Sequence, residues 1–567
     1  YELADAIEQR VSEIGSDGQL LANHRASPYH VTMLEKLLIP ALVKITNFVP
    51  GGGVWLNTQR PEWNDANNAL VGNGLSVVTA CYLRRYCDFM IQWLSRSGLP
   101  ASIPVSQEIC TLLQSIGRTL DTNAEVFSGT LNDSQRKQLV DALSQAGSDY
   151  RQQLYANGLS GTKTELPLVD CVQLLQRSLE MIDHTIRSNH RSDGLYHSYN
   201  LITLQDEGYG VTTLHEMLEG QVAVLSSGLL NAEEVVQTLD ALQESPIYRE
   251  DQQSYMLYPD RQLPRFLQKN MVAEESWKRS QLLKKLVAEG DTSVVRQDED
   301  GGVHFNGDFR NAANLNTTLD ALSLLPAYAD LVSRDRRLIG ELYENTFRHK
   351  SFTGRSGTFF AYEGLGSIYW HMVSKLALAA IENCVWSKQT TDKPELENRL
   401  QQHYRDIRNG MGLTKSPAQY GAFPADPYSH TPQGAGVQQP GMTGQVKEDI
   451  LSRLIELGVR IVNGQLAFDP FMFEACEILK TDSRIQFINL EDEHVELSLP
   501  AGSFAFTLCQ TPIIYHQSMN TRIVVTRADG ADERDTLTLT KDETASIFSR
   551  TGQIKRIDIH YDFQQVP

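Results

Sequence analysis

The sequence contains no uninterrupted apolar run of about 18 residues, the length that a helix needs to cross a bilayer. It also lacks a secretory signal pattern and any long basic stretch, and its formal net charge is −19. Nucleic acids and anionic membranes attract strongly basic surfaces, which this chain does not offer. The sequence therefore predicts a protein whose partners are neither nucleic acids nor membranes.

Cysteine is sparse, and its spacing shows no recognisable pattern. The seven cysteines stand at positions 81, 87, 110, 171, 384, 476 and 509, and none forms a CxxC pair. An odd number of scattered cysteines predicts reduced, buried thiols, which are typical of the cytoplasm. No set of His, Cys, Asp and Glu has the spacing of a metal site, so neither a metal nor another cofactor is expected.

The length and the helical periodicity predict a large, mainly α protein. The chain has 567 residues, 41% of them hydrophobic, which exceeds one ordinary domain. Residues 1–30 are polar and are predicted as capping or loop structure. Helices are predicted at 31–49 (with a kink or break at Pro40), 70–95, 105–121, 133–157, 165–189, 231–243, 262–288, 314–345, 365–384 and 445–457. Paired helices joined by loops predict an (α/α)6-barrel-like toroid over residues 1–460, with 105–310 as an insertion or a lid.

The residue pattern changes from helical to alternating after position 459. Two short alternating runs flank Asn463-Gly464, a strong hairpin signal. Further strands are predicted near 484–489, 494–499, 503–515, 521–527, 536–540 and 554–562. The fold class expected for the whole chain is mainly α with a C-terminal β domain, a β-sandwich over residues 461–567.

A polar stretch at residues 60–69, RPEWNDANNA, precedes an apolar helical run. Trp63 offers a face for a pyranose ring, Asn64 can bind hydroxyl groups, and the carboxyl groups of Glu62 and Asp65 can handle a proton. The composition is that of a sugar site. The alternative is that Asn64 or Asp65 simply caps the following helix.

Three later positions carry groups that bind anions. Arg355, in a segment rich in glycine and hydroxyl groups, either helps to hold an anion or lies in a plain turn. His371, beside an apolar helix face, is either a core residue or a working one. Thr443 and Gly444 begin a predicted helix, where unpaired N–H groups and the helix dipole favour an anion. The alternative there is that Thr443 is only the N-cap.

Several loops have no assigned role from sequence. The polar, aromatic loops at 190–200 and 297–307 either line a site or form solvated turns. A loop as long as 410–442 is usually functional or mobile in a compact enzyme. The helix that follows carries Val446, Ile450 and two leucines on one face.

Three motifs, in this order, resemble those of the inverting glycoside phosphorylases of the cellobiose and chitobiose phosphorylase family. Trp63-Asn64-Asp65 is similar to the family's Trp-Asn-Asp, whose Asp is the general acid. The stretch 366–371, GSIYWH, is similar to its Gly-Gly-Ile-aromatic-x-His segment, whose His contacts phosphate. Thr443-Gly444 resembles its Thr-Gly phosphate loop. Residues 458–470 resemble the family's exit from the helical barrel into the C-terminal sheet domain.

The sequence also departs from that family. The family has a large N-terminal β-sandwich that this sequence does not contain, and the stretch between Asp65 and His371 is longer than is usual for it. The family's phosphate-binding Gln has three candidate matches, Gln433, Gln438 and Gln439. We therefore expect a remote member of the family.

The resemblance implies inverting phosphorolysis of a β-linked gluco-oligosaccharide or disaccharide, with inorganic phosphate as co-substrate and a sugar 1-phosphate as product. Asp65 would protonate the departing oxygen while phosphate attacks from the opposite face, so a second catalytic carboxylate is not needed. The residues expected to bind phosphate are His371, Thr443, Gly444, Gln439 and Arg355. Those expected to bind the sugar are Trp63, Asn64, Glu62 and Arg60.

Two other functions stay open at the level of sequence. An inverting hydrolase on the same scaffold would need a base to activate water, which Glu62, Glu363 or Asp426 could supply. A carbohydrate-binding protein with a decayed site would bind sugar without turnover. The family resemblance implies a homodimer, and a cytoplasmic location is expected from the cysteines.

Overall fold

The computed structural model describes residues 2–19, 29–57, 70, 72–259, 270–347, 368–411, 415–416, 430–431 and 446–563. These residues fall into two compact units, a smaller one made by 270–347 and a larger one made by the rest. The α-helices are Glu2–Ile14, Met33–Thr46, Val77–Leu94, Gln107–Thr122, Asp133–Asn157, Leu168–Ser188, Leu218–Ser226, Ala232–Glu244, Glu274–Trp277, Gln281–Glu289, Ala312–Ser323, Ala329–Phe347, Trp370–Thr390, Pro394–Gly410, Val446–Glu456 and Lys541–Phe548.

Short strands lie between the helices, and longer ones make up most of the C-terminal region. Those before residue 440 are Phe48–Val49, Gly53–Trp55, Gly74–Ser76, Ser102–Ser106, Lys163–Pro167, Tyr199–Leu204, Tyr209–Thr213, Tyr248–Arg249, Ser254–Tyr255, Met271–Val272, Val295–Gln297, Val303–Phe305, Ile368–Tyr369 and His430–Thr431. Those after it are Val459–Val462, Gln465–Phe468, Ser483–Ile488, His494–Leu499, Ser503–Leu508, Thr511–Gln517, Arg522–Arg527, Gly530–Arg534 and Ile554–Tyr561.

Local sequence accounts for the ends of many helices. Asp133–Asn157 begins with a capping box, in which Asn132 and Gln135 exchange side-chain and backbone hydrogen bonds. The predicted helix 70–95 starts instead at Val77, because the Ser76 hydroxyl accepts from the Thr79 N–H at 2.9 Å and caps it there. The preceding residues Gly74–Ser76 join a five-stranded sheet.

Three helix predictions need correction. The start of the chain, predicted as loop, contains the helix Glu2–Ile14. Pro40 lies inside Met33–Thr46 without ending it. The predicted helix 314–345 is two helices, separated at 324–328 by a segment that contains Pro326, because proline disfavours a helical residue before it.

The helices of the larger unit pack in neighbouring pairs, and a large hydrophobic cluster lies among those between Leu34 and Val224. Val77–Leu94 packs against Leu168–Ser188, and Trp370–Thr390 packs against both Pro394–Gly410 and Val446–Glu456. Fully buried side chains such as those of Leu42, Met90, Ile109 and Ile182 fill the cluster. The structure thus has a helical region, as predicted, and the closed (α/α)6 barrel stays a prediction.

The smaller unit has its own core. An antiparallel three-stranded sheet has Val303–Phe305 at its centre, and its helices cover buried residues that include Leu286, Phe305 and Tyr343. Asp335 is buried at 5% exposure, and its Oδ2 accepts from the Ser280 hydroxyl at 2.9 Å and the Leu282 N–H at 2.8 Å. The predicted helix 262–288 is, over its described part, a strand and two short helices.

The strand-rich C-terminal region confirms the change in pattern seen in the sequence. The hairpin at Asn463-Gly464 is present, with both residues at positive φ (51° and 78°) as a type I′ turn requires. The predicted strand 503–515 is two strands that turn at Cys509-Gln510, again at positive φ. The predicted strand 536–540 forms only a single bridge, from Thr538 to Ala467.

The longer C-terminal strands form a mixed five-stranded sheet. Thr511–Gln517 and Ile554–Tyr561 pair in parallel, and the chain between them forms two further strands and then the helix Lys541–Phe548, which begins with a Thr540/Glu543 capping box. Buried residues of the inner face include Ile513, Tyr515 and Ile557. A helical region followed by a β region agrees with the predicted fold class, and the sandwich stays a prediction.

Two predictions made from composition concern the burial of the cysteines and the absence of membrane-spanning segments. All seven cysteines are free thiols, and five are buried. The prediction of burial is wrong for Cys476, which is exposed. Among the helices in the described part of the chain, none combines the length and hydropathy needed to span a bilayer.

Candidate functional site

Most of the residues predicted to form the site lie outside the described part of the chain. These are Arg60, Glu62, Trp63, Asn64, Asp65, Arg355, Glu363, Asp426, Gln433, Gln438, Gln439, Thr443 and Gly444. Their roles stay predictions. His371 is described, and the site is therefore built outward from it.

His371 is the second residue of the helix Trp370–Thr390 and lies next to a fixed aromatic ring. The preceding strand, Ile368–Tyr369, pairs antiparallel with His430–Thr431 and sets the entry into the helix. The Tyr369 side chain is buried and forms no helix cap. Its hydroxyl lies 2.9 Å from Nδ1 of His371, and the two ring centroids are 5.0 Å apart. The imidazole is therefore held on one edge by a phenol.

The surroundings of His371 are electropositive. Burial lowers its pKa below the ordinary value, and the charges of Lys375 and Lys447 lower it further. Lys375 is one helical turn along from His371. Lys447 is the second residue of the helix Val446–Glu456, which packs against the His371 helix. Two lysines, one of them in the first turn of a neighbouring helix, thus act on the His371 imidazole and favour its neutral form.

A third lysine lies beside the same helix start. The Lys415 amine is 5.7 Å from the centroid of the Trp370 ring and donates to the carbonyl oxygen of Gly410 at 2.8 Å and to that of Gln252. Burial lowers the pKa of Lys415 to about 8. Lys415 therefore ties together chain segments that are far apart in sequence and adds a further cation next to Trp370.

The helix Val446–Glu456 packs against its neighbours with a polar face. Its buried residues are Glu448, Ser452 and Glu456, whereas Val446 and Ile450 are more than half exposed. Of the face predicted as apolar, Val446 and Ile450 are thus exposed, whereas Leu457, the residue after the helix, is buried.

On that buried face, Glu456 is the residue with hydrogen bonds and ion pairs to neighbouring helices. Its carboxylate accepts from the Tyr404 hydroxyl at 2.6 Å and from the Arg408 guanidinium at 2.9 Å. By contrast, Oε2 of Glu448 and the hydroxyl of Ser452 are buried without a hydrogen-bond partner. The helix is therefore held in place by ionic contacts at its C-terminal end.

These features favour binding of an anion. Helix N-termini carry partial positive charge and unpaired N–H groups, and lysines add point charges. A neutral imidazole can donate one hydrogen bond to an oxyanion without a cost for burying its own charge. The described surroundings of His371 could therefore hold a phosphate-like group.

The two loops left open by sequence serve local structure. The Asn200 amide donates to the Gly52 carbonyl oxygen and to Asn189 Oδ1, each at 2.8 Å, inside the larger unit. In the smaller unit, Asp298 turns a hairpin by accepting from the Gly302 N–H at 2.7 Å and contacts His304 Nε2 at 2.7 Å. The second arrangement favours the turn interpretation for 297–307, whereas Asn200 is buried, so the loop 190–200 is not simply a solvated turn.

A cavity of about 860 Å³ lies between the helices Gln107–Thr122 and Leu168–Ser188. Its wall mixes polar and apolar residues, and Arg177 in it contacts Asp121 at 3.3 Å and Glu180 at 3.1 Å. Among the residues that the structure describes, none predicted to form a site lies in this groove, so no ligand is assigned to it.

Sequence reasoning did not single out the side chains that surround His371. Tyr369 lay within the quoted motif, and Lys375 was detectable as the i+4 neighbour of His371 on a predicted helix. Lys415 and Lys447 had no local signal, because tertiary packing brings them to the site.

Comparison with known families gives one match. Residues 263–350 match the family model described as GH149 phosphorylase insertion domain 2. The matched range contains all the described residues of the smaller unit. The match supports a glycoside phosphorylase family, and hence a carbohydrate-active enzyme. The narrower resemblance to the cellobiose and chitobiose phosphorylases stays a prediction. No curated protein sequence matches the chain significantly.

Proposed function

We propose that this protein is an inverting phosphorylase that cleaves a β-linked gluco-oligosaccharide or disaccharide and releases a sugar 1-phosphate. The observation that carries the proposal is the match of residues 263–350 to a phosphorylase insertion domain. The electropositive surroundings of His371 agree with it, because inorganic phosphate is the co-substrate of such a reaction.

In this proposal phosphate binds beside His371. The imidazole donates to a phosphate oxygen, and Lys375 and Lys447 supply positive charge. Thr443, Gly444 and Gln439 complete the phosphate site by the motif resemblance, and Arg355, in its segment rich in glycine and hydroxyl groups, is the further charge partner. Backbone N–H groups at the start of the helix Val446–Glu456 favour the same anion. Phosphate held this way is a positioned nucleophile, which removes the entropic cost of bringing it to the anomeric carbon.

The sugar end of the proposed site rests on residues 60–65. Asp65 protonates the departing glycosidic oxygen, and Trp63, Asn64, Glu62 and Arg60 shape the subsites at the cleaved bond. Attack by phosphate on the opposite face inverts the anomeric centre, so a β-linked substrate gives an α sugar 1-phosphate. The reaction needs no metal or organic cofactor.

The first test is an incubation of the protein with β-linked gluco-oligosaccharides, with and without inorganic phosphate, followed by phosphorus NMR. An α sugar 1-phosphate that forms only with phosphate is the expected result. Free reducing sugar formed equally in both would replace the proposal with an inverting hydrolase. Sugar binding without any turnover would instead indicate a carbohydrate-binding protein.

The role of Asp65 is tested with Asp65→Asn. Loss of the general acid should lower turnover of an unactivated glycoside about a thousandfold, since such catalysis typically contributes 10²- to 10⁴-fold. Activity on a glycosyl donor with a good leaving group, which needs no protonation, should largely survive. Asp88→Asn, at a half-buried helix position, is the control. Near-normal turnover of the unactivated glycoside by Asp65→Asn would refute the assignment.

A further inference from the structure

The contact between Tyr369 and His371 is specific in its geometry. The phenol hydroxyl lies 2.9 Å from Nδ1, and the two rings are tilted by 56°. The backbone on both sides is fixed, because Tyr369 belongs to a paired strand and His371 to the first turn of a helix. The Ser374 hydroxyl donates to the carbonyl oxygen of His371 at 3.0 Å and secures that turn.

A neutral imidazole has two tautomers, and only one of them suits an anion at Nε2. Burial and the neighbouring lysines lower the pKa of His371, so the neutral form is favoured near neutral pH. In a neutral ring one nitrogen carries the proton and the other accepts. The partner of Nδ1 therefore decides whether Nε2 can donate.

We propose that Tyr369 is a positioning residue whose hydroxyl donates to Nδ1 of His371 and thereby holds the imidazole as the Nε2–H tautomer, the form that donates to a phosphate oxygen. A tyrosine hydroxyl can both donate and accept, whereas a fully ionised phosphate oxygen only accepts. With this tautomer, a hydrogen-bond chain runs in one direction from the Tyr369 hydroxyl through His371 to an ionised phosphate oxygen. The inference rests on the proposed phosphorylase function.

The test is Tyr369→Phe, which removes the hydroxyl and keeps the buried ring. The expected result is a KM for phosphate raised about tenfold, with the KM for the oligosaccharide unchanged, since one oriented hydrogen bond to the anion is weakened. Nitrogen NMR of 15N-histidine-labelled protein reads the tautomer directly. Nδ1 of His371 should be unprotonated in the wild type, and the two tautomers should mix in the variant.

Tyr86→Phe is the matched control. The Tyr86 hydroxyl donates to the Leu37 carbonyl oxygen at 2.7 Å, so this variant also loses one tyrosine hydrogen bond, but away from His371. Its KM values and the His371 tautomer should equal those of the wild type. The His371 signal is assigned by its absence from the spectrum of His371→Asn.

The outcomes separate this inference from the function on which it rests. If the wild type forms sugar 1-phosphate but Tyr369→Phe changes neither the KM for phosphate nor the tautomer, the positioning role is overturned and the phosphorylase stands. An equal change in both KM values with an unchanged tautomer would show a purely structural role and would also overturn it. If the wild type forms no sugar 1-phosphate, both proposals fall.

Discussion

Lys447 affects His371 from a different helix, and its own side chain is largely exposed to solvent. Its effect on the pKa of His371 is smaller than the effects of burial and of Lys375. Its side chain is 75% accessible to solvent. Exposed charges interact weakly because water and salt screen them. Its contribution to phosphate binding should therefore be measurable but modest.

Substitution of Lys447 by Gln should raise the KM for phosphate about two- to threefold, in line with the small free energies of exposed charges. The pKa of His371 should rise towards 6.5, its ordinary value, because one neighbouring positive charge is lost. Histidine NMR titration and phosphate-dependent kinetics measure the two effects. Lys137→Gln, which removes a partly exposed lysine from another helix of the larger unit, is the control, and an equal change in that variant would argue against a local role for Lys447.

At the scale of single residues, the sequence identified His371 as a site residue but did not identify the side chains near it. His371 was found because a short motif surrounds it, and Tyr369 stood two positions before it in the same motif. The hydrogen bond between them depends on a strand running directly into a helix, which periodicity did not reveal. Lys415 and Lys447 come from remote segments, and no local pattern marks such residues.

The helix Val446–Glu456 shows how an element can pack with its polar face inward. Glu456 balances Arg408 and accepts from Tyr404, so the burial of this carboxylate is compensated by charge-assisted hydrogen bonds. Ser452 is buried with no partner for its hydroxyl, which leaves its desolvation uncompensated. Truncation to alanine should therefore change the free energy of unfolding in opposite directions at Ser452 and Glu456.

Ser452→Ala should raise the free energy of unfolding by about 1 kcal/mol, because an unpaired buried hydroxyl is removed from a helix interior. Glu456→Ala should lower it by about 2 kcal/mol, because the buried Tyr404 hydroxyl loses its acceptor and the half-buried Arg408 loses one of its two carboxylate partners. Urea unfolding of the full chain measures both. Ile450→Ala, on the exposed face, is the control and should change stability by less than about 1 kcal/mol. A destabilising Ser452→Ala would contradict the packing described.

Elements were predictable where local chemistry alone fixes their ends. The helix 133–157 was predicted with its exact bounds, because an Asn132 capping box starts it and Gly158 ends it at positive φ. The helix predicted from residue 70 begins only at Val77, because Gly74–Ser76 form a strand that pairs with two neighbouring strands. Strand pairing depends on distant partners, and a hydrophobic run does not distinguish a strand from a helix turn.

At the scale of the whole molecule, the smaller unit has what a domain needs to fold alone. It has its own buried cluster, in which the rings of Phe305 and Tyr343 meet edge to face at 5.0 Å. Asp335 further connects the start of Gln281–Glu289 to the helix Ala329–Phe347. Burial raises the pKa of Asp335, but hydrogen bonds from Arg334, Leu282 and Ser280 outweigh this and hold it below the usual value.

Residues 260–360 expressed alone should therefore unfold cooperatively on heating, with a near-ultraviolet circular dichroism signal from packed aromatic rings. Phe305→Ala should remove about 3 kcal/mol or more of stability, because a large buried side chain is lost. Leu324→Ala, at an exposed position, should change little. A fragment without a cooperative transition would show that this unit needs the rest of the chain.

The architecture was harder to predict than its parts. Composition and periodicity gave a helical region followed by a β region, since both depend on local pattern. The separate unit at 270–347 was not recognised, because its helices have the same amphipathic period as those before and after it. Its boundaries depend on which helices share a core, and that is a property of distant contacts.

The inverted packing of Val446–Glu456 also changes how natural variation along this helix should be interpreted. Substitution tolerance is usually lowest at apolar helix positions and highest at polar ones, because apolar residues are usually buried. Here the order reverses: exposed Val446 and Ile450 should accept many replacements, whereas Glu456 should accept few. A saturation-mutagenesis map should show Glu456 as intolerant and Val446, Ile450 and Ser452 as tolerant, the reverse of what the hydrophobicity of these positions alone would predict.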